Sequence, residues 1–191
     1  MTMANRPGWR SGYAADCRSA TLRFKSGPWL CEISMNDNEN SEPLLVLGCP
    51  EVPVQQALAL YCAHQFGEHG EDLRIAGNKA VLQLLRISDL KKVYAKKLMD
   101  LDRCIEDLAT KKLRPSVCIV FAHSDAGISY ATTVRYLTEG RLVAVVFGRE
   151  AETLGAQLDI PCEKIVEKAV HNPGQLRKKL DEVMGWAVSK T

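Results

Sequence analysis

Three short stretches of this chain, residues 44–47, 117–122 and 142–147, are apolar at every position and rich in β-branched side chains. A run of that length without polar alternation predicts a strand buried on both faces, which requires a layer of helix on either side. The intervening segments supply it. Residues 54–66 place Val54, Ala57, Leu58, Tyr61 and Cys62 on one helical face. Pro53 suits the first turn of that helix, and Gly67 and Gly70 are stop signals. Residues 79–86, 100–112, 125–138, 150–157 and 173–188 read as further helices, with Asp125 a candidate N-cap.

Two more segments, 72–76 and 163–170, read as strands of mixed polarity. Strand and helix therefore alternate along the chain. This predicts an α/β domain of three layers, α/β/α, on a mostly parallel, five-stranded, doubly wound sheet. Asp72 and Arg74 in one mixed strand, and Lys164, Glu167 and Lys168 in the other, belong at sheet edges. The flavodoxin-like order 2-1-3-4-5 puts both there and is favoured over the Rossmann order within this flavodoxin/Rossmann-like class.

Residues 1–34 lack both periodicities. Arg6, Arg10, Arg18, Arg23 and Lys25 face only Asp16 and Glu32, and Trp9 and Trp29 sit among glycines and prolines. They are read as a leader outside the domain. Three explanations compete: a basic arm for a partner, a small extension packing its tryptophans, or a mis-assigned start with Met35 the true initiator. The last is preferred, because Met35 and a polar lead-in directly precede the first strand. Residues 35–191 then form one domain. The formal charge of +2 derives from the leader, so a nucleic-acid partner is not expected. No apolar run reaches the roughly 18 residues of a membrane span. Seven cysteines without any Cys-x-x-Cys spacing, and no secretory signal, predict free thiols in a reducing cytoplasm.

In doubly wound sheets ligands bind beyond the carboxyl ends of the strands, where the winding reverses. Here that is the crevice between the first and third predicted strands. Around it the strands run out into Gly48-Cys49-Pro50-Glu51 with Gln55 following, Gly77-Asn78, His123-Ser124-Asp125, Gly148-Arg149-Glu150 and His171-Asn172. Cys49 and His123 are the candidate catalytic residues. A thiol at a strand-to-helix turn can become a nucleophile, and an imidazole can move protons. Gly48, Glu51, Gln55, Asn78, Ser124, Asp125, His171 and Asn172 are the candidate ligand-binding residues. Each has a plainer reading as a turn filler, a loop hydrogen-bonder or a helix cap. The loops carry no spacing diagnostic of a metal, and none is assigned. No Gly-x-Gly-x-x-Gly follows the first strand and no P-loop occurs, so an orthodox dinucleotide site is not expected. No cofactor is assigned. Lys91, Lys92, Lys96 and Lys97 cluster around Tyr94, either as a solvated face or as a site for an acidic partner.

The segment Leu47-Gly48-Cys49-Pro50-Glu51-Val52-Pro53-Val54-Gln55, with Leu58, Ala59 and Tyr61 after it, resembles the opening of an archaeal family found mainly in methanogens, the domain of unknown function 1890. The later His171-Asn172-Pro173, then Leu176-Arg177, matches it too. The resemblance spans residues 44–184 and implies a cytoplasmic archaeal protein of three α/β/α layers. It also implies a start just before the first strand, and it carries no catalytic roles. Three functions follow as expectations. The first is binding of an anionic small molecule or cofactor fragment in the crevice, linked by resemblance to methanogen metabolism. The second is a Cys49-dependent transferase or sulfur relay with His123 as proton shuttle. The third is a non-catalytic homo-oligomeric assembly subunit. A homodimer is the base-rate expectation for oligomeric state.

Overall fold

The computed structural model describes residues 41–186. The leader at 1–34 and the lead-in to residue 40 lie outside the described residues, as does the end of the last predicted helix. The chain alternates without exception: β1 (Leu44–Val46), α1 (Pro53–Glu68), β2 (Arg74–Gly77), α2 (Lys79–Ser88), β3 (Lys97–Asp100), α3 (Leu101–Ala109), β4 (Val117–Ala122), α4 (Asp125–Leu137), β5 (Arg141–Phe147), α5 (Ala151–Gln157), β6 (Glu163–Glu167) and α6 (Gly174–Met184).

All strands pair in parallel, in the order β3-β2-β1-β4-β5-β6. The relative order of the five expected strands is as anticipated, but the sheet has six strands. The sixth, β3, joins beyond β2 and makes the order that of a Rossmann sheet rather than a flavodoxin sheet. β2 is therefore an inner strand, not an edge. Its Arg74 lies beside Lys97 of β3 in the ladder, and the two cations share one carboxylate, Glu42. Arg74 Nη2 donates to Glu42 Oε2 at 2.8 Å, and Lys97 binds the other oxygen. Asp72 adds contacts to Lys96 at 3.1 Å and Lys97 at 3.7 Å. The charges that suggested an edge are thus paired at the amino ends of the strands.

The apolar runs work as two interleaved sets. Along β4, Cys118, Val120 and Ala122 enter one core while Ile119 and Phe121 enter the other. β5 repeats this with Leu142, Ala144 and Val146 against Val143, Val145 and Phe147. Alternation of side chains across a strand accounts for the split. The first core is closed by α1, α2 and α6, the second by α3, α4 and α5. Phe121 and Phe147, both fully buried, meet edge to face at 5.7 Å. Burying a ring of that kind contributes about 1.5–3 kcal/mol. α6 packs on α1: Tyr61 Oη donates to Asp181 Oδ1 at 2.5 Å, and Trp186 stands edge-on to Phe66 and Tyr61.

Local sequence sets the helix starts that frame the crevice. Pro53 opens α1, Asn78 Oδ1 caps α2 by accepting from Val81 N at 2.9 Å, and Ser124 rather than Asp125 is the N-cap of α4. The extended backbone of Ser124, φ −154° and ψ 169°, makes it the cap, so the helix starts at Asp125, one residue earlier than a cap at Asp125 would place it. α4 approaches β4 closely because residue 127 is glycine: a Cβ there would lie 2.6 Å from Ala122 Cα. The expected strand at 163–170 ends at Glu167, and the helix expected from Asp100 starts at Leu101 with Asp100 as its cap. Among the described residues no helix is long and apolar enough to cross a membrane.

Candidate functional site

The winding reverses between β1 and β4, whose carboxyl ends lead into Gly48 and His123. One atom organises the loops there. The carbonyl oxygen of Cys49 accepts from His123 Nε2 at 2.6 Å, from the backbone N–H of Glu51 at 3.0 Å and, more weakly, from Gln55 Nε2 at 3.5 Å. Gln55 Nε2 also donates to the Gly48 carbonyl at 3.2 Å. The turn after β1 is therefore pinned from three directions: by itself, by the first turn of α1 and by the loop after β4.

A carbonyl can only accept, so the His123 nitrogen that meets it carries a proton. In the neutral ring this leaves the lone pair on Nδ1 as the available base. The ring is half-buried and has walls on several sides. Phe147 of β5 lies 5.7 Å away, centroid to centroid, at a 51° tilt. A Cβ on Gly48 would come 3.8 Å from His123 Nε2, and one on Gly148 would come 3.6 Å from His123 Cβ. Gly148 has φ +109°, a conformation that L side chains rarely adopt, and this lets the chain leave β5 close beside the imidazole. Gly148 and Phe147 were not among the candidate site residues. The signal for them was a glycine directly after an apolar strand.

The ten candidates fall into groups. Gly48, Cys49, Glu51, Gln55 and His123 are brought together. Ser124 and Asp125 follow His123 directly, at the amino end of α4. The Cys49 side chain is exposed, but His123 meets its carbonyl, and no hydrogen bond to the thiol is present among the described residues. Gln55 is 0% exposed, and its Oε1 has no hydrogen-bond partner among the described residues. Glu51 and Asp125 are exposed and form no ion pair among the described residues. Asn78 caps α2 beyond β2. His171 and Asn172 follow β6, on the far edge, yet the chain turns back there. Val170 O accepts from Val54 N in the first turn of α1 at 3.4 Å, and Asn172 Oδ1 accepts from Gly174 N at 2.9 Å.

The two helix amino ends at the crevice differ. In α1, Pro53 lacks an N–H, Val54 donates to Val170 and Gln55 N donates to Val52 O at 3.0 Å. In α4, the Ser124 side chain makes no cap bond among the described residues, which leaves the first-turn amides without a side-chain acceptor there. Asp125 is the acidic residue of that turn. Among the described residues no three of His, Cys, Asp or Glu gather as a metal site. The remaining described thiols lie elsewhere. Burial pushes Cys104 and Cys118 up to about 12 and Cys62 higher still.

A family model described as Domain of unknown function (DUF1890) matches residues 44–183. An uncharacterised protein of Methanocaldococcus jannaschii, MJ0452, is 31% identical over 152 residues, covering 74% of this chain and 95% of that protein. The solved structure of MT0777 is similar at a TM-score of 0.70 and 31% identity, covering 79% of this chain and 99% of that one.

Proposed function

We propose, from the premise that the chain belongs to the DUF1890 family, that this protein binds an anionic small molecule or cofactor fragment in the crevice between β1 and β4. One observation carries the reading: three loops converge on His123 and the Cys49 carbonyl at the point where the winding reverses. The anionic group would meet the open amides of α4 rather than the occupied ones of α1. Glu51 and Asp125 would accept from ligand hydroxyls or amines, which favours a ligand that carries donors as well as charge. His123 Nδ1 would supply one further acceptor. Gln55 acts from beneath by holding the turn.

The catalytic alternative, with Cys49 as nucleophile, gains less support. Its base would need to reach the thiol, and among the described residues His123 meets the Cys49 carbonyl and not its sulfur. A thermal-shift screen of the full chain against nucleotides, coenzymes and corrinoids tests the binding reading. A binder should raise Tm, and Glu51→Gln or Asp125→Asn should shrink that rise while leaving the ligand-free Tm in place. If no compound stabilises the wild-type chain, the reading fails.

A further inference from the structure

The lysine cluster that the crevice leaves unused lies at the opposite end of the sheet, on the turn between α2 and β3. That turn and the end of α2 display apolar side chains to solvent. Leu90 is 81% exposed and Ile87 60%, with Leu84, Val93 and Tyr94 also exposed. Display of this kind is unusual unless it serves contact with another surface. The turn is also rigidly built. The buried carboxylate of Asp89 accepts from the backbone N–H groups of Val93, Tyr94 and Ala95 at 2.9, 2.8 and 2.8 Å. Lys92 is held at φ +52°. Tyr94 is steadied by an edge-on contact with His64 at 5.6 Å.

Beside the turn is a depression of about 270 Å³. Leu90, Ala95 and Leu98 give it apolar walls, Arg86, Lys92 and Lys96 surround them, and Asp89, its carboxylate taken up by three backbone N–H groups, completes the lining. Lys96 is paired with Asp72, but Arg86, Lys91 and Lys92 form no ion pair among the described residues. We infer that this depression and its turn are a docking surface for an acidic, amphipathic segment of a partner protein. Its apolar anchor would insert between Leu90 and Leu98, and its carboxylates would meet Arg86, Lys91 and Lys92. Charge selects this occupant. A second copy would bring its own cluster against this one in a two-fold contact. The basic leader of the same chain carries the same sign. A flat bilayer would not fill the depression beside Leu90.

The test uses the full-length protein and a fluorescein-labelled helical peptide of glutamate, leucine and alanine, with a lysine-for-glutamate peptide as control. Anisotropy should show saturable binding of the acidic peptide alone, weakening with salt. Leu90→Asp, and separately the pair Lys91→Glu with Lys92→Glu, should each reduce affinity about tenfold or more. Tyr136→Asp, at an exposed position on α4, should not. These side chains are exposed, and circular dichroism verifies that the variants fold. Equal affinity in wild type and Leu90→Asp, or no binding of the acidic peptide, overturns the inference. So does sedimentation with phosphatidylglycerol vesicles in place of peptide binding, or a dimer by light scattering that Leu90→Asp dissolves.

Discussion

Replacing Asp89 by asparagine isolates the device that shapes the α2–β3 turn. The carboxylate accepts three backbone N–H groups, Val93 on one oxygen and Tyr94 and Ala95 on the other. Asparagine keeps one acceptor oxygen. Its better orientation retains Tyr94 and Ala95 and turns an NH2 toward the Val93 N–H, donor against donor. One charge-assisted bond, worth about 1.5–3 kcal/mol, is lost outright, and the other two weaken as the charge disappears. Relief from burying a charge offsets part of this. The expected net cost is about 2 kcal/mol at neutral pH. Urea denaturation should therefore move to a lower midpoint with an unchanged slope. Burial pushes the Asp89 carboxyl up, but the amides of Ala95, Tyr94 and Val93 outweigh it and hold the group below the usual carboxylate range. A depressed folded value means the stabilisation is complete above the unfolded value of about 3.9 and is lost as pH falls through the folded value. The gap between wild type and Asp89→Asn should close in that acid range. A gap under about 0.5 kcal/mol at neutral pH, or one that persists unchanged in acid, would refute the assignment of stability to these three bonds.

Two other outcomes follow from buried groups. Gln55→Leu removes an unpartnered buried oxygen together with the amide that holds the turn, so stability should change by less than about 1 kcal/mol in urea. The same variant should lose ligand-induced stabilisation, because the turn after β1 is no longer pinned from α1. Cys62, Cys104 and Cys118 stay protonated in the folded chain to about 12 or beyond, whereas unfolded thiols ionise near 8.5. The unfolded state then binds fewer protons, so stability falls as pH rises above about 8.5, by up to about 1.4 kcal/mol per pH unit for each thiol. Cys118→Ala should shallow the alkaline slope in denaturation measured across that range, and an identical slope would count against it.

The relative order of β2, β1, β4, β5 and β6 was legible because fully apolar strands must lie inside and mixed ones outside. β3 was not. Its four residues are all half-buried, it has charged residues at both ends, and it follows Lys91, Lys92 and Lys96, so nothing in its local pattern separates it from a solvated loop. Its absence then made β2 look like an edge, although Arg74 and Lys97 are neutralised by Glu42, which lies 32 residues before Arg74. At the crevice, fold geometry alone pointed to the loops that meet at His123 and the Cys49 carbonyl. Which atom joins them did not follow from residue types, because the hub is a backbone carbonyl. The return of the chain after β6 to α1 depends on a backbone bond at Val170 and was equally invisible.

The clasp of α6 on α1 also has a temporal meaning. Tyr61 and Asp181 are separated by 120 residues, and Trp186, which covers Phe66, comes later still. At translation rates of about 5–20 residues per second, the outward face of α1 waits roughly 6–24 s for its partner to leave the ribosome. α1 must pass that interval with part of its apolar surface uncovered while β2 to β6 are still being made. For the nascent chain this is the window in which a chaperone has something to hold.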